Sequence, residues 1–343
     1  MNKSTPITAL CLLVPILALA LFAGLAGYPV FARIATLLLI NLILVLGLQV
    51  FMGNSGILSF AHIAFMAIGA YASSVFSIPL QMRGMVLPEL YEPISELTLS
   101  PTVAILFGGL MATLIAALVS YPLMRLSDAA AVITSFALLM VIHTITVNWS
   151  QVTNGPRTLF GVPAFTTLPV VAVVAALAVL AALAFRQTRT GLLLRALRDD
   201  ELAAVAMGAH PSRIRWCGFV VSALFAGIAG GLWAHFITSF QPNAFYLKET
   251  FLILAMLVIG GAGSVTGAVL GTFLVTLSFE GLRLTETMIN TSNLLPLRLV
   301  GLTEIVLALA MIMVLVLRPS GLMGAREIGE LLISRRRRTP DLP

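Results

Sequence analysis

A chain of 343 residues that is 59% hydrophobic and only 10% charged, with a mean hydropathy of +1.04, excludes a water-soluble domain. No soluble fold of this length hides so much apolar surface, whereas a bilayer does so without packing. The net charge of +6 sits in loops and in the run Arg335-Arg336-Arg337-Arg338, which points to anionic lipid on a cytoplasmic face and not to nucleic acid. The two cysteines, Cys11 and Cys217, fall in or beside apolar runs and lack metal-ligand spacing.

A span needs roughly 20 apolar residues. The first such run, 7–27, follows the polar start MNKSTP; it is too long for a signal-peptide core and reads as a retained helix. Further runs at 33–51, 57–77, 101–121, 129–149, 168–185, 216–237, 250–261, 265–282 and 298–317 predict an all-α polytopic bundle of about ten passes. The eighth and ninth are short and split by glycine. The loop at 78–100, with Glu89, Glu92, Glu96 and several prolines, predicts an irregular or short-helical cap.

Basic residues set the orientation. With both termini inside, one side collects Lys3, Arg125, six arginines of 186–215, Arg318, Arg326 and Arg335 to Arg338. The other gets Arg33, Arg83, Arg157, Lys248, Arg283 and Arg298. Fourteen against six is the asymmetry of the positive-inside rule.

Two runs break the pattern of plain spans. GNSGILSFAHIAFMAIGAYAS (53–73) gathers Asn54, Ser55, Ser59 and His62 near a helix start, and GGAGSVTGAVLGT (260–272) does the same with Gly260, Gly261, Gly263 and Ser264. Non-helical backbone at membrane depth must be buried in protein or line a polar cavity, and paired breaks mark transport paths in repeat-built carriers. Close helix packing through small residues is the other reading.

Catalytic motifs do not occur. The four histidines are scattered, no G-x-S-x-G elbow occurs, and neither lysine follows a phosphate-cradling glycine loop. No cofactor is expected, and any ATP must be bound elsewhere. His62 and His143 read as neutral interior residues. Glu280 and Glu304 fall toward the outer boundary, where a carboxylate reaches water.

The charged stretch 186–215 is the main non-lipidic feature. RALRDDELAAVAMG predicts a short amphipathic helix over 195–208, with Arg195 and Asp199 paired at i,i+4 and Arg198 and Glu201 at i,i+3. Ala196, Leu197, Ala203, Ala204 and Met207 supply its apolar side, and Gly208 its stop. Asp200 adds to a polar face of mixed sign, which suits a protein partner better than anionic lipid.

These residues carry a resemblance. Gly191 through Glu201, then Ala203-Ala204 and Ala206-Met207-Gly208, resemble the G-R-x-x-x-A-I-R-[DE]-[DN]-E-x-A-A-x-x-x-G signature of branched-chain amino-acid ABC importer permeases of the LivM type. Phe219, Ser222-Ala223, Phe225-Ala226-Gly227 and Ala229-Gly230 are similar to F-x-x-S-A-x-x-A-G-x-A-G. Val258 to Ser264 with Gly267 resemble V-x-G-G-x-G-[ST]-x-x-G, and Arg318 to Gly324 the terminal R-P-x-G-L-x-G. In the first half, Asn41 to Phe65 resemble N-L-x-x-G-x-x-G-x-L-S-L-G-H-A-A-F, and Thr153-Asn154-Gly155 with Gly161-Val162-Pro163 resemble T-G-G…G-I-P. Ser127 to Thr134 lose the aromatics of G-x-Y-F-A-I-x-T, Asn154 stands for a glycine, and Phe60-Ala61 replace L-G.

The resemblance implies a first helix over 1–30, a permease core over 31–324 and a cytoplasmic basic tail over 325–343. It implies a bacterial inner-membrane permease, both termini cytoplasmic, paired with a second and different permease subunit. Two cytoplasmic ATPases and an extracytoplasmic binding protein would complete the importer. Arg195, Arg198, Asp199, Asp200, Glu201, Met207 and Gly208 would couple to the ATPases, and 53–65 with 259–267 would border the path. The cargo is expected to be a branched-chain or related amino acid, with urea or another amide as the alternative. An ion-driven carrier using Glu280 or Glu304 is the reading from a different class.

Overall fold

The computed structural model describes residues 4–25, 27–126, 128–291, 301–318 and 320–336. Lys3, Ser127, Arg298, Pro319, Arg337 and Arg338, and with them the start of the run at 298, lie outside the described residues. Apart from one antiparallel bridge between Leu159 and Phe240, the regular structure described is helical.

Helices α1 (Ser4–Leu25) and α2 (Pro29–Leu48) open the bundle, and α2 continues as a π-helical turn over Gln49–Gly53. After a non-helical stretch, α3 spans His62–Ser77. Two short helices, α4 (Leu80–Val86) and α5 (Glu92–Ser95), form the cap expected over 78–100. Then follow α6 (Pro101–Leu123), α7 (Asp128–Asn148), the short α8 (Ser150–Thr153) and α9 (Leu168–Gln187). The charged stretch holds α10 (Arg189–Asp199) and α11 (Glu201–Ala206). The last are α12 (Pro211–Ile237), α13 (Leu247–Gly260), α14 (Val265–Thr291), α15 (Leu302–Leu317) and α16 (Ile328–Arg336).

Among the described residues eight helices are long and apolar enough to cross a membrane, and α3 and α15 are shorter apolar helices. Together they match the ten expected passes, with shifts at the ends: the third starts at His62 instead of 57, and the ninth runs on to Thr291. Proline in the first turn starts α2, α6, α9 and α12, where its missing N–H would have had no helical partner.

α2 is the axis of the bundle. Of its apolar window 83% is buried within the protein, against 22% for α1, which leaves Leu10, Leu17, Leu21 and Phe22 facing outward for lipid. α2 packs on α9, α12 and α14. Beside it, α3, α6 and α12 form a tight trio built on glycine. A Cβ on Gly227 would lie 2.6 Å from the Ala112 Cβ, and one on Gly230 would overlap the Met66 carbonyl. Backbones approach this closely only through small residues.

Two hydrogen bonds pin this interface at its ends. His62 Nε2 is 2.9 Å from Ser222 Oγ, whose hydroxyl donates to the Phe219 carbonyl. The serine therefore accepts, and the ring proton sits on Nε2. At the other end Ser77 Oγ lies 3.0 Å from His235 Nε2, while His235 Nδ1 donates to Gly231 O at 2.8 Å. Both histidines are buried, interior and hydrogen-bonded, as expected for His62.

Arg83 organises the cap. Its buried guanidinium donates to four carbonyls, those of Ile78, Ile94, Ser95 and Leu97, at 2.8 to 3.0 Å. The sequence marks it only as an outer cation.

Candidate functional site: a charged loop seated on two helix breaks

The charged loop, both breaks and the segment after α15 meet at one end of the bundle. The expected single helix over 195–208 is two helices. Asp200 is extended (φ −155°, ψ 105°), and its side chain accepts from the Ala203 N–H at 2.9 Å. An aspartate in that conformation caps a new helix better than it continues an old one. Gly208, at φ +86°, ends α11 as expected.

Neither expected ion pair forms: Arg195 shares α10 with Asp199 but turns to a backbone carbonyl, and the break at Asp200 separates Arg198 from Glu201. Arg195 donates to Arg186 O at 2.8 Å, and burial next to the Arg186 and Arg198 guanidiniums pulls its pKa down. Glu201 pairs with Arg215 at 2.6 Å. Arg198 touches Asp199 at 3.3 Å and donates from Nη1 to Gly53 O at 2.8 Å. Leu194, Leu197, Ala204 and Ile214 form a small core beneath the loop. Met207, expected on that apolar side, is instead 89% exposed, as is Leu202 at 85%, with Val205 beside them.

Asn54, Ser55, Ser59 and His62 are all buried. Asn54 Nδ2 donates to Val50 O at 2.9 Å, closing the π-helical turn. Ser55 and Ser59 each accept from a backbone N–H two residues on, and so support the non-helical stretch. Gly56 has φ +76°, and a Cβ there would meet Arg198 Cγ at 2.7 Å. A Cβ on Gly53 would overlap the Ala262 carbonyl, so the first break rests on the second.

At the second break, Gly261 turns at φ +109° and lies against Gly321 and Gly324. Leu322 and Met323 donate to Ile259 O and Gly260 O at 3.0 and 3.1 Å. A Cβ on Gly263 would come within 2.9 Å of Ala325 Cα. Ser264 Oγ accepts from Gly267 N at 3.0 Å and caps α14.

Sequence reasoning missed Glu327. It is only 5% exposed, accepts from Val265 N and Thr266 N at 2.9 and 3.0 Å, and forms a salt bridge with Arg186. The tail expected from residue 325 thus begins as packed structure, and Gly329 N donates to Thr8 on α1. An acid next to Arg326, just after a glycine-rich turn, was the available signal.

The acids weighed for an ion-driven carrier each carry a cation. Glu280 pairs with Arg283 at 2.9 Å and Glu304 with Lys248 at 2.7 Å. Among the described residues no three His, Cys, Asp or Glu side chains converge as a metal site requires.

The family description "Branched-chain amino acid transport system / permease component" matches residues 30–316. The chain belongs to this family. The permease is 28% identical over 284 residues to the high-affinity branched-chain amino acid transport system permease protein LivM of Escherichia coli, covering 73% of this chain and 63% of that one. It is 24% identical to the nucleoside ABC transporter permease protein NupC of Lactococcus lactis, over 66% of this chain and 73% of that one. The LivH permease of Escherichia coli is 26% identical over 42% of each. This permease spans less than two thirds of the length of the LivM relative. No solved structure matches.

The geometry explains two departures of this permease from the family pattern. Asn154 has φ +64°, a conformation asparagine tolerates nearly as glycine does. Phe60 packs edge-on against Phe136 and Phe251, and its N–H reaches Ser135 on α7 at 3.2 Å.

Proposed function

We propose that this chain is the membrane permease subunit of an ABC importer, moving branched-chain or related amino acids across the bacterial inner membrane with energy from ATPase subunits docked on α10 and α11. Both termini lie on that cytoplasmic side, where the basic residues collect. A second, different permease subunit and an extracytoplasmic binding protein complete the assembly.

The observation that carries this reading is the outward face of α11. Leu202 and Val205 on α11 and Met207 just after it are exposed, and Arg198 at the end of α10 contacts the first helix break. Apolar side chains presented on a charged loop suit a groove in a partner protein. Closure of that partner would push on Arg198, and through Gly53 and Ala262 on both breaks at once. On this reading Asn54, Ser55, Ser59, His62, Gly260, Gly261, Gly263 and Ser264 act as the hinge region bordering the path.

The test is uptake into proteoliposomes. The full complex should accumulate labelled leucine only with ATP on the ATPase side, with urea and nucleosides as competing cargoes. Uphill transport by this chain alone under an ion gradient would overturn the proposal.

A further inference from the structure

A cavity of about 360 Å³ opens away from the charged loop, between α2, α3, α12, α13 and α14. Its wall includes Met66, Trp233 and Met256, which suit an aliphatic group. Its polar groups are unevenly satisfied. Glu280 holds Arg283, and Lys248 is turned to Glu304 at 2.7 Å. Glu249 lines the same cavity and makes no hydrogen bond or salt bridge among the described residues.

Thr276 faces the same space. It is only 6% exposed, and its Oγ1 has no partner among the described residues. One turn earlier on α14, Thr272 satisfies itself by donating to Ala268 O at 2.8 Å. A half-buried carboxylate with no hydrogen bond, eased only by the charge of neighbouring Lys248, lines the same cavity as a bare buried hydroxyl, and a ligand that completes both is favoured there. The missing partner is a cation that also donates hydrogen bonds.

We propose that this cavity receives the primary ammonium of an α-amino acid cargo. Glu249 forms the ion pair, Thr276 accepts a hydrogen bond, and the aliphatic side chain lies against Met66, Trp233 and Met256. The inference rests on the permease reading and deepens it, placing recognition of the amine in the outer half of the chain. Arg283 Nη1, which has no partner among the described residues, is left for the cargo carboxylate.

The experiment is thermal unfolding of the full chain in nanodiscs of phosphatidylcholine and phosphatidylglycerol, which carry no primary amine. L-Leucine and isopentylamine should raise the melting temperature, and isovalerate should not. Glu249→Gln should need about tenfold to a hundredfold more of either amine, the loss expected for one charge-assisted hydrogen bond. Thr276→Val should show a smaller loss. Equal protection by isovalerate, or an unaltered response in Glu249→Gln, overturns the site. Loss of leucine protection when phosphatidylethanolamine is added assigns the cavity to lipid and also overturns it.

If Glu249→Gln does not fold, carbodiimide modification of Glu249 in the wild type, read by mass spectrometry, should slow in isopentylamine and not in isovalerate. Equal slowing by both overturns the site. Leucine protection without ATP-driven uptake by the assembled complex would sink the permease reading alone. ATP-driven uptake with an unchanged KM in Glu249→Gln would sink this site alone.

Discussion

Arg198 donates from Nη1 to the carbonyl oxygen of Gly53 over 2.8 Å, joining residues 145 positions apart. The carbonyl is free to accept because the helix ends there in a π-helical turn, and the guanidinium reaches it because Gly56 has no side chain. A hydrogen bond to a charged donor contributes about 1.5–3 kcal/mol. That contact ties the loop to the break.

Gly56→Ala should damage this contact without touching a charge. The residue sits at φ +76°, and its new Cβ would crowd Arg198 Cγ. The left-handed conformation alone costs about 1–2 kcal/mol. Thermal melting in detergent should drop and coupled transport should fall with it. Gly24→Ala on α1, where a Cβ meets nothing within 4 Å, should be neutral or mildly stabilising.

Glu327→Gln should destabilise the cytoplasmic end. The substitution leaves Arg186 buried without its counter-ion and weakens the cap on α14, and breaking such a pair costs about 3–5 kcal/mol. Calorimetry of the purified chain should show a clearly lower transition. Arg186→Met combined with Glu327→Leu should recover part of the loss, since no buried charge is then left alone.

Leu202→Glu with Met207→Glu should leave the chain folded, because both side chains already face outward. The paired substitution should abolish co-purification of the ATPase subunits. Retained ATPase at wild-type stoichiometry would place docking elsewhere.

Ser222→Ala removes the acceptor of His62 Nε2 and leaves both ring nitrogens buried without partners, since Nδ1 already has none. The expected loss is about 1–3 kcal/mol, read as a lower melting temperature. Ser222→Thr, which keeps a hydroxyl, should restore part of it.

Much of this arrangement was legible from local pattern. Apolar run length located the passes, and glycine clusters located both breaks, because each is a property of adjacent residues. Gly208 marked where the loop helix ends, whereas α12 begins at Pro211, ahead of the apolar run at 216 that located it. What stayed hidden depends on residues far apart in the chain. Asp200 reads as an ordinary helix-surface acid until Arg198 and Glu201 are seen to have partners at Gly53 and Arg215. Glu327 looks like part of a solvated tail until α14 offers it two free N–H groups. Glu249 was overlooked beside Lys248, because the lysine alone suggests a solvated boundary.

The most direct test measures leucine uptake and cargo-stimulated ATP hydrolysis together, in proteoliposomes holding the assembled complex, for wild type and Arg198→Ala. If Arg198 carries motion from the ATPases to the breaks, uptake should fall by about tenfold or more, as loss of one charge-assisted hydrogen bond allows, while hydrolysis without cargo persists. Wild-type uptake and stimulation in Arg198→Ala would contradict the account.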